Sequence, residues 1–126
     1  MTTFIRTLGF VSLTAMLLVL NACKNKDPSV LKVFVRSSNN ELVSGAKVVI
    51  IADQTSNPPT PEYVDTVLTN TSGFAYFEMD EFFDNLEGDE ATGYFDILAS
   101  KNTSYGTEYV RCRAHIVNVK TVYLQP

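Results

Sequence analysis

Residues 31–52 read "LKVFVRSSNNELVSGAKVVIIA". In the first six, Leu31, Val33 and Val35 alternate with Lys32, Phe34 and Arg36. A period of two puts the aliphatics on one face of an extended strand and the charged pair on the other. "NNELVSG" (39–45) is turn chemistry, because Asn and Gly tolerate backbone conformations that branched residues avoid. "AKVVIIA" (46–52) is apolar enough for a central, well-covered strand, with Lys47 marking its wet side. Two such strands joined by a turn, with no 3.6-residue period between them, predict β structure.

The same period continues outward. "DQTSNPPTPE" (53–62) holds three prolines that cannot donate to a ladder, so a stiff, extended, exposed loop is expected there. "YVDTVLT" (63–69), the turn "NTSG" (70–73) and "FAYFEM" (74–79) follow, with Ala75, Phe77 and Met79 inward and Phe74, Tyr76 and Glu78 outward. Residues 80–93 form an acidic connection. Within it Asp80 is expected to cap one helical turn that aims Phe82, Phe83 and Leu86 at the core. "YFDILAS" (94–100) buries Phe95, Ile97 and Ala99, and "KNTSYG" (101–106) turns the chain. "TEYVRCRAHIV" (107–117) is expected to run as one strand with Val110, Cys112, Ala114 and Ile116 inward, and "TVYL" (121–124) closes the domain. About seven short strands with little helix and no tandem repeat imply an all-β fold, a single antiparallel β-sandwich over residues 30–126.

The amino terminus is built differently. "MTTFIR" carries one positive charge, and residues 8–20, "LGFVSLTAMLLVL", are uncharged and mostly apolar. Thirteen such residues are too few to span a bilayer, which needs about 20, but suit the apolar region of a secretory signal. Leu20-Asn21-Ala22-Cys23 resembles the lipobox of bacterial lipoproteins. Asn21 stands where Ala or Ser is commoner. The resemblance implies cleavage after residue 22 and lipidation of Cys23, whose acyl chains would anchor the protein in a membrane. Residues 23–29 would then be a lipidated tether, reaching about 20 Å at roughly 3.3 Å per residue. Lys24 stands where inner-membrane lipoproteins carry an acidic residue, which by analogy implies the outer membrane, with the sandwich on the periplasmic side. A cell-surface position is the alternative.

Without residues 1–22, which hold one basic and no acidic side chain, the chain has 104 residues, 9 basic and 14 acidic, a net charge near −5. That balance speaks against a nucleic-acid binder, which needs a clustered basic face. One cysteine, Cys112, remains beside Cys23. A lone thiol makes no internal disulfide, so the domain must be held by its core.

The order "LKVFV", "VSGAKVVI", "TNTSGFAYF", "GYFDILAS" and "VKTVYL" resembles the transthyretin-like, carboxypeptidase-regulatory-type β-sandwich domains. Val43, Gly45, Ala46, Val48, Gly73, Ala75, Phe77, Gly93, Tyr94, Val122 and Leu124 match that family's pattern. The stretched segment 80–92 departs from its brief Leu-x-x-Gly turn. The resemblance covers nearly all of residues 30–126 and implies a structural or interaction module without catalysis.

Candidate chemistry is sparse. His115 is the sole histidine, and no Gly-x-Ser-x-Gly elbow exists. Cys112 and His115 share a Cys-x-x-His spacing, but residues three apart on a strand point to opposite faces, so Cys112 reads as a small buried hydrophobe. Asp80, Glu81, Asp84, Glu87, Asp89 and Glu90 crowd one segment and could suggest calcium. The EF-hand spacing is absent, so a solvated acidic loop is the reading and no metal or other cofactor is expected. The six tyrosines (Tyr63, Tyr76, Tyr94, Tyr105, Tyr109 and Tyr123) all read as outward or turn residues, joined by Phe34 and Phe74. Such a surface suits a protein interface or stacked sugar rings. The sequence therefore points to a non-enzymatic, lipid-anchored interaction or accessory module of a cell-envelope assembly with a protein partner. Its rival is a carbohydrate-binding lipoprotein that presents glycans to an outer-membrane transporter. An apolar patch would favour the first, and a flat aromatic platform the second.

Overall fold

A computed structural model of the protein describes residues 27–86 and 91–126. Residues 1–22, Cys23 and the tether to Lys26 lie outside the described residues, as do Glu87, Asp89 and Glu90 of the acidic segment. The elements are β1 (Val30–Arg36), β2 (Lys47–Ala52), β3 (Val64–Leu68), β4 (Phe74–Glu78), α1 (Asp80–Asp84), β5 (Thr92–Lys101), β6 (Ser104–Arg113) and β7 (Val117–Tyr123). They form a three-stranded sheet, β4-β1-β7, and a four-stranded sheet, β3-β2-β5-β6.

The inward sets of both sheets meet in one core. Leu31, Val33 and Val35 of β1, Ala75 and Phe77 of β4 and Val122 of β7 come from one sheet. Val48 and Ile50 of β2, Phe95 and Ile97 of β5 and Val110 and Cys112 of β6 come from the other. Each large aliphatic or aromatic side chain so enclosed stabilises the fold by about 1.5–3 kcal/mol. The β-sandwich character and the seven strands are as the period-two pattern implied.

The expectation of purely antiparallel pairing is corrected: β1 and β7 run parallel, Val30 opposite Val117 through Arg36 opposite Tyr123. The cause is the β6–β7 connection. β6 belongs to the four-stranded sheet and β7 to the other, so the turn at residues 114–116 carries the chain across the sandwich. It returns beside β1 in the same direction.

That crossing corrects a second expectation, one strand over residues 107–117. β6 ends at Arg113, and His115 adopts a left-handed backbone (φ 62°). Ala114 is then only half-buried and Ile116 is exposed. Asn118 makes the corner. Its side-chain amide donates to the carbonyls of Val30 (3.0 Å) and Arg113 (3.1 Å), and its oxygen accepts from the Arg113 amide (2.9 Å). β7 correspondingly begins at Val117 rather than at Thr121.

Smaller differences lie in the turns and at α1. The β5–β6 turn is tighter than residues 101–106, because Lys101 still pairs with Ser104. The loop at 53–62 folds back instead of extending. The Thr60 amide donates to the Asp53 carbonyl (3.2 Å) and to the Ser56 hydroxyl (3.1 Å), and Thr60 is buried. α1 forms and buries Phe82 and Phe83, with Leu86 partly buried against the core, yet no side chain caps it. Asp80 is spent elsewhere: its carboxylate accepts from the Ser29 amide at 2.7 Å.

Candidate functional site

The outward faces of both sheets carry exposed apolar side chains, and on the three-stranded sheet these include Tyr76, Val119 and Tyr123. On the three-stranded sheet, Phe34 and Phe74 face each other across β1 and β4 with ring centroids 5.3 Å apart. The Lys32 ammonium lies 5.0 Å from the Phe74 ring centre. These rings are half-covered by one another and by an alkyl stem, so that face is partly self-satisfied.

The four-stranded sheet is distinguished by aliphatics in adjoining rows. Its register sets Val64, Ile51, Asp96 and Tyr109 in one row. Thr66, Val49, Leu98 and Thr107 form the next row, and Leu68, Lys47, Ser100 and Tyr105 the third. These positions alternate with the buried set, so they face away from the core. Val64 is 60%, Leu68 61% and Leu98 43% exposed, and Ile51 is exposed as well. A shallow depression of about 590 Å³ opens among Ile51, Leu98 and Tyr109. An outer sheet face that needs no partner usually carries polar residues at alternate positions. Here an aliphatic stands in every row and continues to the open edge of β3, so water is left against a contiguous apolar surface.

At one end of this face stands a polar and aromatic group. The Tyr109 hydroxyl donates to the Asp53 carboxylate at 2.6 Å, and the Thr55 amide and hydroxyl donate to the same carboxylate at 2.9 and 2.7 Å. The Thr55 hydroxyl, then Tyr109 and the Thr55 amide, hold the Asp53 carboxyl below its ordinary value. The bond to Asp53 pushes the Tyr109 phenol up to about 12. Tyr94 lies beside Tyr109, rings near-parallel (22°) with centroids 6.2 Å apart. Arg111 is the cross-strand neighbour of Tyr94, and Asp96 that of Tyr109.

The six tyrosines are therefore not one platform. Tyr94, Tyr105 and Tyr109 belong to the open face, and Tyr76 and Tyr123 to the opposite sheet. Tyr63 corrects its expected outward position: it is half-buried and packs against Phe82 (5.2 Å) and Phe95 (6.2 Å). It precedes β3 on the same alternation as Asp65 and Val67, which turn inward. The apolar face itself was missed from sequence. Its signal was present in β2, where both alternating sets carry aliphatics, but burial beneath another element would write the same pattern.

The Cys-x-x-His spacing separates its members. Cys112 is enclosed in the core, and burial pushes its thiol up to about 12. His115 sits on the corner with Nδ1 2.9 Å from the Asp27 carbonyl. A neutral buried thiol is neither a nucleophile nor a metal ligand. Among the described residues, no three His, Cys, Asp or Glu side chains are grouped to hold a metal ion. No helix among them is long and apolar enough to cross a membrane. Neither protein-family models nor curated protein sequences give a match to the chain.

Proposed function

We propose that the protein is a lipid-anchored β-sandwich of the bacterial cell envelope, held at the outer membrane by an acylated Cys23. It acts as a non-enzymatic interaction module of a larger assembly. The observation that carries this reading is the aliphatic outer face of the four-stranded sheet, with Val64, Leu68 and Leu98 substantially exposed. Leaving such side chains against water opposes solubility, and a protein surface laid over them removes that cost. The transthyretin-like assignment belongs to the same proposal. Its support is that the motif residues do structural work: Gly45 and Gly73 take positive φ in turns, and Ala46, Val48, Ala75, Phe77, Val122 and Leu124 are buried.

A photo-crosslinking residue placed at Leu98 in the full chain, in native membranes, tests the reading. It should give a discrete adduct that disappears on adding Val64→Glu and that a crosslinker at Lys32, on the other sheet, does not give. Equal labelling from both sheets overturns it.

One observation favours the glycan-presenting alternative: the Tyr94–Tyr109 pair flanked by Asp53, Asp96 and Arg111, since rings beside carboxylates and a guanidinium suit sugar faces and hydroxyls. Retardation of the protein in polysaccharide-containing gels, lost in Tyr109→Ala and kept in Leu98→Glu, would replace the first reading with this one.

A further inference from the structure

The chain leaves the sandwich at a fixed point. The Ser29 amide donates to Asp80 (2.7 Å), and the Ser29 carbonyl accepts from the Met79 amide (2.9 Å). From the other side, the His115 amide donates to the Ser29 hydroxyl (2.7 Å), and the His115 ring lies 2.9 Å from the Asp27 carbonyl. The Val30 amide then donates to the Ile116 carbonyl at 3.1 Å. The root of the tether is therefore clamped between the start of α1 and the β6–β7 corner.

Asp27 stands four residues after Cys23. Four extended residues span at most about 13 Å. An acylated Cys23 therefore keeps this end of the sandwich near the bilayer surface, while the β5–β6 turn at Thr103, nine strand steps away, lies about 30 Å further off. What the near end offers a bilayer is uneven. The corner exposes Ile116 (42%) and Val117 (54%), with Arg113 exposed and His115 half-buried beside them. Glu78, Glu81 and Asp84 are exposed on the β4–α1 side. Apolar side chains next to cationic ones suit the headgroup–acyl boundary, whereas carboxylates are held off by anionic headgroups.

We infer that the β6–β7 corner is a second membrane contact, in which Ile116 and Val117 enter the headgroup layer and Arg113 faces its phosphates. This contact tilts the sandwich so that the β4–α1 side stands away from the lipid. The inference rests on the lipid-anchor reading.

The chain contains no tryptophan, so Ile116→Trp and Thr103→Trp each install a single fluorophore at an exposed site. Each acylated full-length variant is reconstituted into vesicles of three parts phosphatidylcholine to one part phosphatidylglycerol, with or without brominated acyl chains. Flotation of the vesicles is scored in the same samples. Bromine should quench the fluorophore at 116 at least twofold more than that at 103. A chain that floats with equal quenching at both sites overturns the membrane contact and leaves the anchor standing. A chain that does not float overturns both.

Discussion

Gly106 of β6 packs directly against the backbone carbonyl of Tyr123 in β7, so that a Cβ at position 106 would fall inside contact distance of that oxygen. The two strands belong to different sheets, and this approach closes one side of the sandwich beside the bridge between Tyr105 and Gln125. The Gly106 backbone does not take a left-handed φ. Its requirement is therefore steric and not conformational. Gly106→Ala should lower stability by about 1–3 kcal/mol, the usual cost of overpacking where a backbone atom cannot give way. A lower urea midpoint at unchanged slope reports this, and an unchanged midpoint sinks it.

Asn118 replaces a strand connection with a side chain. Its three hydrogen bonds tie the end of β6 to the start of β1 inside the sandwich. Asn118→Leu keeps the volume and strands the Val30 and Arg113 backbone groups, each at about 1–3 kcal/mol if no water replaces the amide. The expected loss is about 2–4 kcal/mol, with amide exchange at Arg113 rising in parallel. A loss within that of an exposed substitution, about 0.5 kcal/mol, would mean that the corner is held by other contacts.

How much of this was legible follows from the reach of each signal. Alternation is local, so Leu31, Val33, Val35, Ala75, Phe77, Phe95 and Ile97 were placed in the core from their neighbours alone. The crossing after Arg113 was not legible, because "RAHIV" continues the alternation while Asn118, five residues past Arg113, supplies the bonds that end it. Tyr63 was misplaced for a related reason: its cover is Phe82, brought from α1. The open face depends on which elements fail to cover a sheet, and no stretch of sequence states what is missing above it. Asp53 and Tyr109 were each visible, but their pairing spans 56 positions.

Cys112 provides a probe of the core. It is fully enclosed, and burial raises its thiol to about 12, far above the pH at which thiolates form in water. In acylated protein a thiol reagent should not label the native chain at pH 8, and should label one thiol per chain in denaturant. The sign follows from the raised value: the neutral thiol is favoured in the fold, so this contribution to stability is complete below the ordinary cysteine value. It is lost as pH rises toward about 12. Labelling of native protein within minutes would place Cys112 at the surface and break the register of β6.

The Asp53–Tyr109 pair makes the sharpest pH prediction, because its two members shift in opposite directions. Asp53 is depressed below 3.8, chiefly by the Thr55 hydroxyl and next by Tyr109. Its contribution to stability is therefore present above about pH 4 and is lost as pH falls through the folded value. Tyr109 is raised to about 12, chiefly by its bond to Asp53. Its contribution is present below pH 10, the ordinary tyrosine value, and is lost between 10 and about 12. The stability difference between the native chain and Tyr109→Phe should thus be flat from about pH 5 to 9 and shrink above 10. Ultraviolet titration of phenolate should show one late tyrosine near 12, which Asp53→Asn returns toward 10. In carboxyl-carbon NMR titrations, Thr55→Ala should raise the Asp53 midpoint more than Tyr109→Phe does, since Thr55 supplies the larger share. If Tyr109→Phe leaves the Asp53 midpoint unchanged, or if no late tyrosine appears, the phenol does not rest on Asp53. The polar end of the open face would then be free to take a ligand.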